Sequence, residues 1–142
     1  AQLNPVVLEQ GGLRDALEWL ARDVSSRGLA VDVDTGDREP ARGSPAELAL
    51  FRAAQEGLNN AVKHAEAERV TVRLRLAEDA WQLAVEDDGV GLSSDGDSGM
   101  GLVGVRERVA ALGGTRSLSR GGSCGVVMQV SLPHANAKEA QP

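Results

Sequence analysis

Residues 51–65, FRAAQEGLNNAVKHA, constrain the fold most, because their polar and apolar side chains separate onto two faces of one helix. At about 100° per residue, Glu56, Asn60 and Lys63 fall within about 60° of one another. The opposite arc is apolar and contains Phe51, Ala54, Leu58, Ala61, Val62 and Ala65. The segment therefore predicts a helix with one face in a core and another face available for chemistry.

The start of this helix is also encoded locally. Ser44 and Glu47 form a capping-box pattern, and Pro45 occupies the first helical position, where its missing N–H costs nothing. A carboxylate, a carboxamide and an ammonium group on one face suit a hydrated magnesium ion and its phosphates, because magnesium takes oxygen ligands and keeps several waters. The alternative interpretation is a solvated face stabilised by the opposite charges of Glu56 and Lys63.

Composition excludes several classes of protein. The 142 residues predict one domain, large enough to bury about two-thirds of its unfolded surface. The net charge of -6 argues against nucleic-acid binding, and the lone Cys124 cannot form an intrachain disulfide. No apolar run approaches the roughly 20 residues of a membrane span, and the first residues lack the basic region of a signal peptide. We therefore expect a cytoplasmic domain without membrane contact.

Two more segments have the spacing of amphipathic helices. The first predicts a helix over residues 13–27 from the apolar positions Leu13, Ala16, Leu17, Leu20 and Val24. The second carries its apolar positions at Leu102, Val105, Val109 and Leu112. Gly113 and Gly114 follow the second segment directly and predict its C-terminal cap.

Alternating apolar and polar residues predict four strands. They span residues 29–34, 70–76, 81–86 and 126–132. Residues 77–80 predict a hairpin between the middle two strands, and residues 35–43 form a polar connecting loop. Helices combined with these strands predict an α+β fold of two layers, with the helices on one face of the sheet. We expect the domain to span residues 1–133 and residues 134–142 to form a disordered tail, since the latter have no apolar period.

Glycines border an acidic loop after the third strand. The sequence DDGVG, residues 87–91, precedes the loop of residues 93–98, and Gly99, Gly101 and Gly104 then spell GxGxxG. A dinucleotide site would need a strand running directly into that motif, but SSDGDS precedes it, and no GK[ST] of a P-loop is present. Glycines at both borders favour a hinged loop and a helix start that attracts phosphate, whereas ordinary turns are the alternative.

Together, and in this order, three motifs resemble a known superfamily. QEGLNNAVKHA resembles the N-box, DDGVG the G1 box and GMGLVGVRERVAALGG the G2 box of GHKL proteins, which include gyrase B, MutL and sensor histidine kinases. The residues of these motifs are most similar to those of nitrate-sensor-like and DesK-like kinases, and the resemblance covers residues 6–133. The resemblance implies a Bergerat fold, a two-layer α/β sandwich whose mixed, mainly antiparallel sheet is covered on one face by helices. ATP would lie between the helices and a mobile lid.

The resemblance also implies roles for the polar helix face. Asn60 would be the magnesium ligand, with Glu56 as a second candidate for the metal. Lys63 would contact phosphate, with His64 beside it in the nucleotide site. Glu56 and Lys63 are the catalytic candidates. Glu56 matches the place where gyrase-like members keep a general base that activates water, and in a kinase it would help the metal or polarise the incoming nucleophile, while Lys63 would neutralise phosphate charge.

The glycine-bordered segments would hold the base and the lid. Asp87 would accept a hydrogen bond from the adenine amino group, and Gly89 and Gly91 would leave room for the base. The lid hinges and phosphate-facing amides would be Gly99, Gly101, Leu102 and Gly104. One departure from the family is Val126, which follows Gly125 where relatives usually have threonine, and weaker nucleotide affinity is expected from the lost hydroxyl.

The function implied is the catalytic ATP-binding domain of a two-component sensor histidine kinase. Its partners would be its own dimerisation domain, which carries the acceptor histidine, and a downstream response regulator. Neither His64 nor His134 has the helical pattern of an acceptor, so the domain alone should bind magnesium ATP and transfer phosphate poorly. The alternatives are a free-standing serine kinase of the anti-sigma-factor type, or a binding module without nucleotide, the latter motivated by Val126.

Overall fold

The computed structural model describes residues 6–64, 67–89, 100–120 and 125–134, and in these ranges it contains three helices and five strands. The helices are α1 (Val6–Ser25), α2 (Pro45–His64) and α3 (Met100–Ala111). The strands are β1 (Ala30–Thr35), β2 (Arg69–Ala77), β3 (Ala80–Asp87), β4 (Thr115–Arg120) and β5 (Val126–Pro133). None of the helices in these ranges is long and apolar enough to cross a membrane.

The strands form one mixed sheet in the order β1-β2-β3-β5-β4. β1 runs parallel to β2, and every other neighbouring pair is antiparallel. α1 packs against α2 and β1, α2 against β2, β3 and β5, and α3 against α2 and β4. The prediction of an α+β sandwich with a mixed, mainly antiparallel sheet is confirmed.

The core lies between the helices and one face of the sheet. Its strand residues occupy alternate positions, as a half-buried sheet requires. They are Val70, Val72 and Leu74 of β2, Trp81, Leu83 and Val85 of β3, and Met128, Val130 and Leu132 of β5. The other face is polar and is crossed by the ion pairs Arg69–Asp32, Arg75–Asp34 and Arg73–Glu86. These pairs are exposed and contribute little to stability, about 0–1 kcal/mol each.

α1 begins at Val6, seven residues before the predicted start at Leu13. A kink at Gly12, where φ is 82°, divides the helix. The apolar residues before the kink therefore do not continue the helical spacing of those after it, and the sequence pattern missed the first part. The loop before α2 holds both parts in place, because Glu39 Oε1 accepts the Arg14 N–H at 2.9 Å and Arg42 Nη2 donates to the Glu9 carbonyl at 2.9 Å. All five predicted core positions of this helix are buried.

The sheet contains one strand that the sequence did not predict. β4, TRSLSR, lies at an edge of the sheet, and its apolar residue is Leu118. An exposed edge strand needs few apolar residues, so the alternation that predicted the other strands is missing here. The β2–β3 hairpin is confirmed, and its turn residues Glu78 and Asp79 both have positive φ, 54° and 67°, as a two-residue hairpin turn of this twist requires.

Candidate functional site

α2 separates its two faces as predicted. Its start is fixed by reciprocal capping, in which the Glu47 N–H donates to Ser44 Oγ at 3.2 Å and Glu47 Oε1 accepts the Gly43 N–H at 2.9 Å. The predicted core residues Phe51, Ala54, Leu58 and Ala61 are buried, and Val62 packs against them, whereas Ala65 lies outside the described residues.

The polar face of α2 has side chains without partners among the residues that the structure describes. Glu56 and Asn60 are half-buried and Lys63 is exposed. Glu56 and Lys63 form no ion pair with each other, so the charge-pattern alternative has no support in the structure. Within the described ranges, no group of three His, Cys, Asp or Glu residues is arranged to hold a metal ion. A cation at this face would therefore need oxygen ligands from a bound anion as well as from α2.

Gly57 brings α2 unusually close to the sheet. A Cβ at this position would lie 3.1 Å from Met128 Cε and 3.1 Å from Val85 Cβ. Val85 precedes Asp87 by two residues on β3, so the two side chains share the helix-covered face of the sheet. The close approach thus seats the second half of α2 next to the strand that carries Asp87.

Strand register places the end of α2 and Asp87 at the same end of the sheet. Asp87 pairs with Val70 near the start of β2. β2 begins at Arg69, five residues after α2 ends at His64. Because the chain crosses from α2 to β2 over so short a connection, the last turns of α2, with Asn60 and Lys63, lie over this end.

The Asp87 side chain is held by two main-chain donors. Oδ1 accepts the Gly89 N–H at 2.9 Å and the Val126 N–H at 3.3 Å. Oδ2 accepts no hydrogen bond from any residue that the structure describes. Asp87 is half-buried, and the Gly89 backbone beside it is buried. The carboxylate is therefore fixed in direction and presents one unused acceptor atom.

Asp88 has a structural role that the sequence did not predict. Its Oδ1 accepts the Glu68 N–H at 2.9 Å and the Arg69 N–H at 3.1 Å, and its own N–H donates to the Arg69 carbonyl at 3.2 Å. The hydrogen bond from Arg69, followed by that from Glu68, holds the pKa of Asp88 below its usual 3.8. Asp88 thus ties the end of β3 to the start of β2, while Asp87 stays available. The sequence signal for this role was the pair of adjacent aspartates, since base recognition requires only one of them.

Two guanidinium groups lie near each other between α2 and α3. Arg52 lies one turn before Glu56, and its Nη1 donates to Gln55 Oε1 at 2.9 Å. Burial, and then the nearby charge of Arg108 on α3, lower the pKa of Arg52. The carboxylates of Glu47 and Glu107 border the same groove as Arg108, so the pair of arginines does not by itself mark an anion site.

α3 runs away from the end of the sheet that carries Asp87. It leads into β4, whose first residue Thr115 pairs with Ser131 near the end of β5. Its twelve residues span about 18 Å, so its first turn points back toward Asp87. That turn contains the backbone of Gly101 and Leu102 and no acidic residue, which leaves its amides suited to an anion.

The other predicted site residues divide into two groups. Gly91 and Gly99 lie outside the described residues, as do the side chains of His64 and Leu102. Gly104 is exposed on α3 and lines a groove of about 1040 Å³ at the opposite end of α2, formed with residues near the starts of α1 and α2. Apart from Gly104, no predicted site residue that the structure describes lines this groove.

A protein-family model matches the part of the chain that contains the predicted site. Residues 46–136 match the model of the histidine kinase-, DNA gyrase B- and HSP90-like ATPases. The chain belongs to this ATPase family. The match begins one residue into α2 and includes Asp87 and α3, so every predicted site residue lies within it. The resemblance seen in the sequence motifs is confirmed.

Curated relatives of the domain are longer proteins. The signal transduction histidine-protein kinase/phosphatase UhpB of Salmonella typhimurium is 41% identical over 135 residues, which cover 93% of this chain and 27% of UhpB. The sensor histidine kinase LiaS of Bacillus subtilis is 32% identical over 133 residues, which cover 92% of this chain and 37% of LiaS. The chain thus spans about a quarter to a third of the length of these relatives.

Solved structures share the fold. The histidine kinase AdeS of Acinetobacter baumannii superposes with a TM-score of 0.68 at 21% identity, over 85% of this chain and 64% of that one. The blue-light activated histidine kinase of Erythrobacter litoralis gives a TM-score of 0.71 at 20% identity, over 87% of this chain and 44% of that one. At these identities the likeness establishes the fold alone.

Proposed function

We propose that this chain is the catalytic ATP-binding domain of a two-component sensor histidine kinase. The observation that carries the proposal is that the polar face of α2, which has no partner among the described residues, and the fixed carboxylate of Asp87 lie at the same end of the sheet. Membership of the ATPase family and the histidine kinases among its relatives support the same function. These relatives give no support to the serine-kinase alternative.

Asp87 reads the adenine amino group through Oδ2, which no described residue uses. A base without that donor would leave the half-buried acceptor unpaired, and this is how a polar site rejects an analogue. Gly89 and Gly91 leave space for the base beside it. Recognition of the base and handling of the phosphates are thus assigned to different parts of one site.

The phosphates lie between the last turns of α2 and the first turn of α3. Asn60 offers a carboxamide oxygen and Glu56 a carboxylate to the metal, and neither has a competing partner among the described residues. Bound magnesium supplies charge neutralisation on the phosphates, which is most of what phosphoryl transfer requires. Lys63 adds a mobile cation and His64 a neighbouring polar group.

The amides of Gly99, Gly101 and Leu102 complete the phosphate site from the lid side, whereas the N–H of Gly104, the fifth residue of α3, is used within the helix. Glu56 polarises the incoming nucleophile, which is a histidine on a dimerisation domain outside this chain. A response regulator then takes the phosphoryl group from that histidine, and the domain works in the cytoplasm. By itself the domain binds magnesium ATP and transfers phosphate poorly, because it lacks the acceptor.

Calorimetric titration with ATP, with and without magnesium, tests the proposal. We expect the wild-type domain to bind ATP more tightly with magnesium, and Asp87→Ala to abolish binding. Asn60→Ala should retain the magnesium-free affinity and lose the enhancement by magnesium.

Gln129→Ala is the matched control for Asn60→Ala, since it removes a carboxamide from the exposed face of the sheet. Absence of heat and of any thermal shift with millimolar ATP would leave the nucleotide-free module as the function. Equal, mild losses from the changes at Asp87 and Asn60 would contradict their assigned roles.

A further inference from the structure

We propose that the main chain at the start of β5 sets base specificity, by locking the Asp87 carboxylate in one orientation. Gly125 and Val126 are thereby positioning residues for base recognition, acting through Asp87 and not through their side chains. The inference rests on the proposed nucleotide site and adds to it the device that makes adenine preferred over a 6-oxo purine.

Two N–H groups from different parts of the chain meet at one oxygen. Gly89 lies on the same segment as Asp87, and its N–H alone would leave the side chain able to turn with that segment. Val126 comes from the neighbouring strand, 39 residues further along, and its N–H reaches the same Oδ1 at 3.3 Å. A carboxylate bound from both sides is held against rotation, so Oδ2 keeps a fixed direction.

Gly125 is what allows β5 to come this close. A Cβ on Gly125 would collide with the main-chain carbonyl of Asp87 and would lie 3.2 Å from Asp87 Oδ1. Gly125 itself is buried, so a side chain at this position has no solvent-facing direction that avoids the carbonyl of Asp87. Any side chain at position 125 must therefore push the start of β5 away from β3 and lengthen the hydrogen bond from the Val126 N–H to Asp87 Oδ1.

A locked carboxylate penalises the wrong base more than it strengthens binding of the right one. With Oδ2 fixed, the 6-oxo oxygen of inosine triphosphate would lie opposite Oδ2. Both atoms are hydrogen-bond acceptors, so they would repel each other. An unlocked carboxylate could turn away from the oxo group or admit a bridging water, which relieves the repulsion. Loss of the lock should therefore reduce the discrimination between ATP and inosine triphosphate, while ATP affinity falls less.

Val126→Pro is the direct test, because proline removes the N–H and is tolerated at the first residue of a strand. We expect the ratio of dissociation constants for inosine triphosphate and ATP to fall by about three- to tenfold, the worth of one such hydrogen bond. Gly125→Ala should lower the same ratio through displacement of β5. Both are measured calorimetrically with magnesium, and circular dichroism verifies folding.

Thr115→Pro is the matched control. It places proline after a glycine at the first residue of β4, at the opposite end of the sheet from Asp87. Its ratio should equal that of the wild type. A change at Val126 that weakens both nucleotides equally, or leaves the ratio unchanged, would overturn the proposal and assign the contact to fold stability.

Amide hydrogen exchange supplies a measurement that does not depend on these variants folding. The Val126 N–H should be protected in the wild type and lose protection in Asp87→Ala, and unchanged exchange there would also overturn the lock. A wild-type domain that binds no nucleotide contradicts the proposed function instead. A wild type that binds ATP but does not discriminate it from inosine triphosphate contradicts this inference alone.

Discussion

Asp87→Asn changes a single acceptor atom into a donor at the position that we propose reads the base. The asparagine oxygen should take the place of Oδ1, since two N–H groups, from Gly89 and Val126, point at that position. The amide nitrogen is then forced into the place of Oδ2. The variant therefore opposes the adenine amino group with another donor, without removing volume from the site.

The expected effect on ATP follows from the bond that is lost. A hydrogen bond to a charged group is worth about 1.5–3 kcal/mol. Since each 1.4 kcal/mol is a factor of ten, the dissociation constant for ATP should rise by about 10- to 140-fold. Inosine triphosphate should change in the opposite direction, because its 6-oxo group gains a donor where the wild type offers an acceptor.

Calorimetric titration of the two nucleotides, with magnesium, measures both changes. Glu86→Gln is the matched control, because it removes the same charge one residue earlier, on the opposite face of the sheet, where Glu86 pairs with Arg73 at 3.6 Å. The control should stay within about twofold of the wild type for both nucleotides. Equal weakening of ATP and inosine triphosphate by Asp87→Asn, or an unchanged ATP affinity, would refute base reading by Asp87.

Three further predictions concern stability. Leu58→Ala should lower the free energy of unfolding in urea by about 2–5 kcal/mol, because this side chain is only 1% exposed, and a loss under 1 kcal/mol would contradict its core position. Gly114→Ala should also destabilise the domain, since its Cβ would collide with the carbonyl of Ser131, and an unchanged melting temperature would refute that packing. Asp88→Asn tests whether the lowered pKa of Asp88 stabilises the fold. A carboxyl group whose pKa is lower in the folded state stabilises the folded protein at pH values above its unfolded pKa, near 3.8. That stabilisation is lost as the pH falls through the folded-state pKa. The stability difference between wild type and Asp88→Asn should therefore be constant near neutral pH and shrink below 3.8, and a pH-independent difference would contradict it.

α2 could be predicted because all of its signals are local. The capping residues, the proline and the apolar arc lie within about twenty residues, and each favours the same helix. The β2–β3 hairpin was predictable for the same reason, since two alternating segments flank a short turn. In both cases the residues that specify the element are the residues that form it.

The missed elements depend on distant partners. The first turn of α1 is stabilised by Arg42, 33 residues away from the Glu9 carbonyl that it contacts. β4 is a strand because β5 pairs with it, and its own sequence has little strand character. No window of sequence contains either cause, so periodicity could not reveal them.

The candidate site shows the same division at the level of single atoms. Asp87 could be proposed from the sequence because DDGVG resembles the G1 box, and the resemblance implies its role. Its lock could not, since the Val126 N–H that fixes it is a group that almost every residue possesses. What remains visible in the sequence is indirect: Gly125 must lack a Cβ, and position 126 must not be proline. On the proposed lock, base specificity depends on a backbone donor whose side chain is free to vary, so valine at this position is compatible with it.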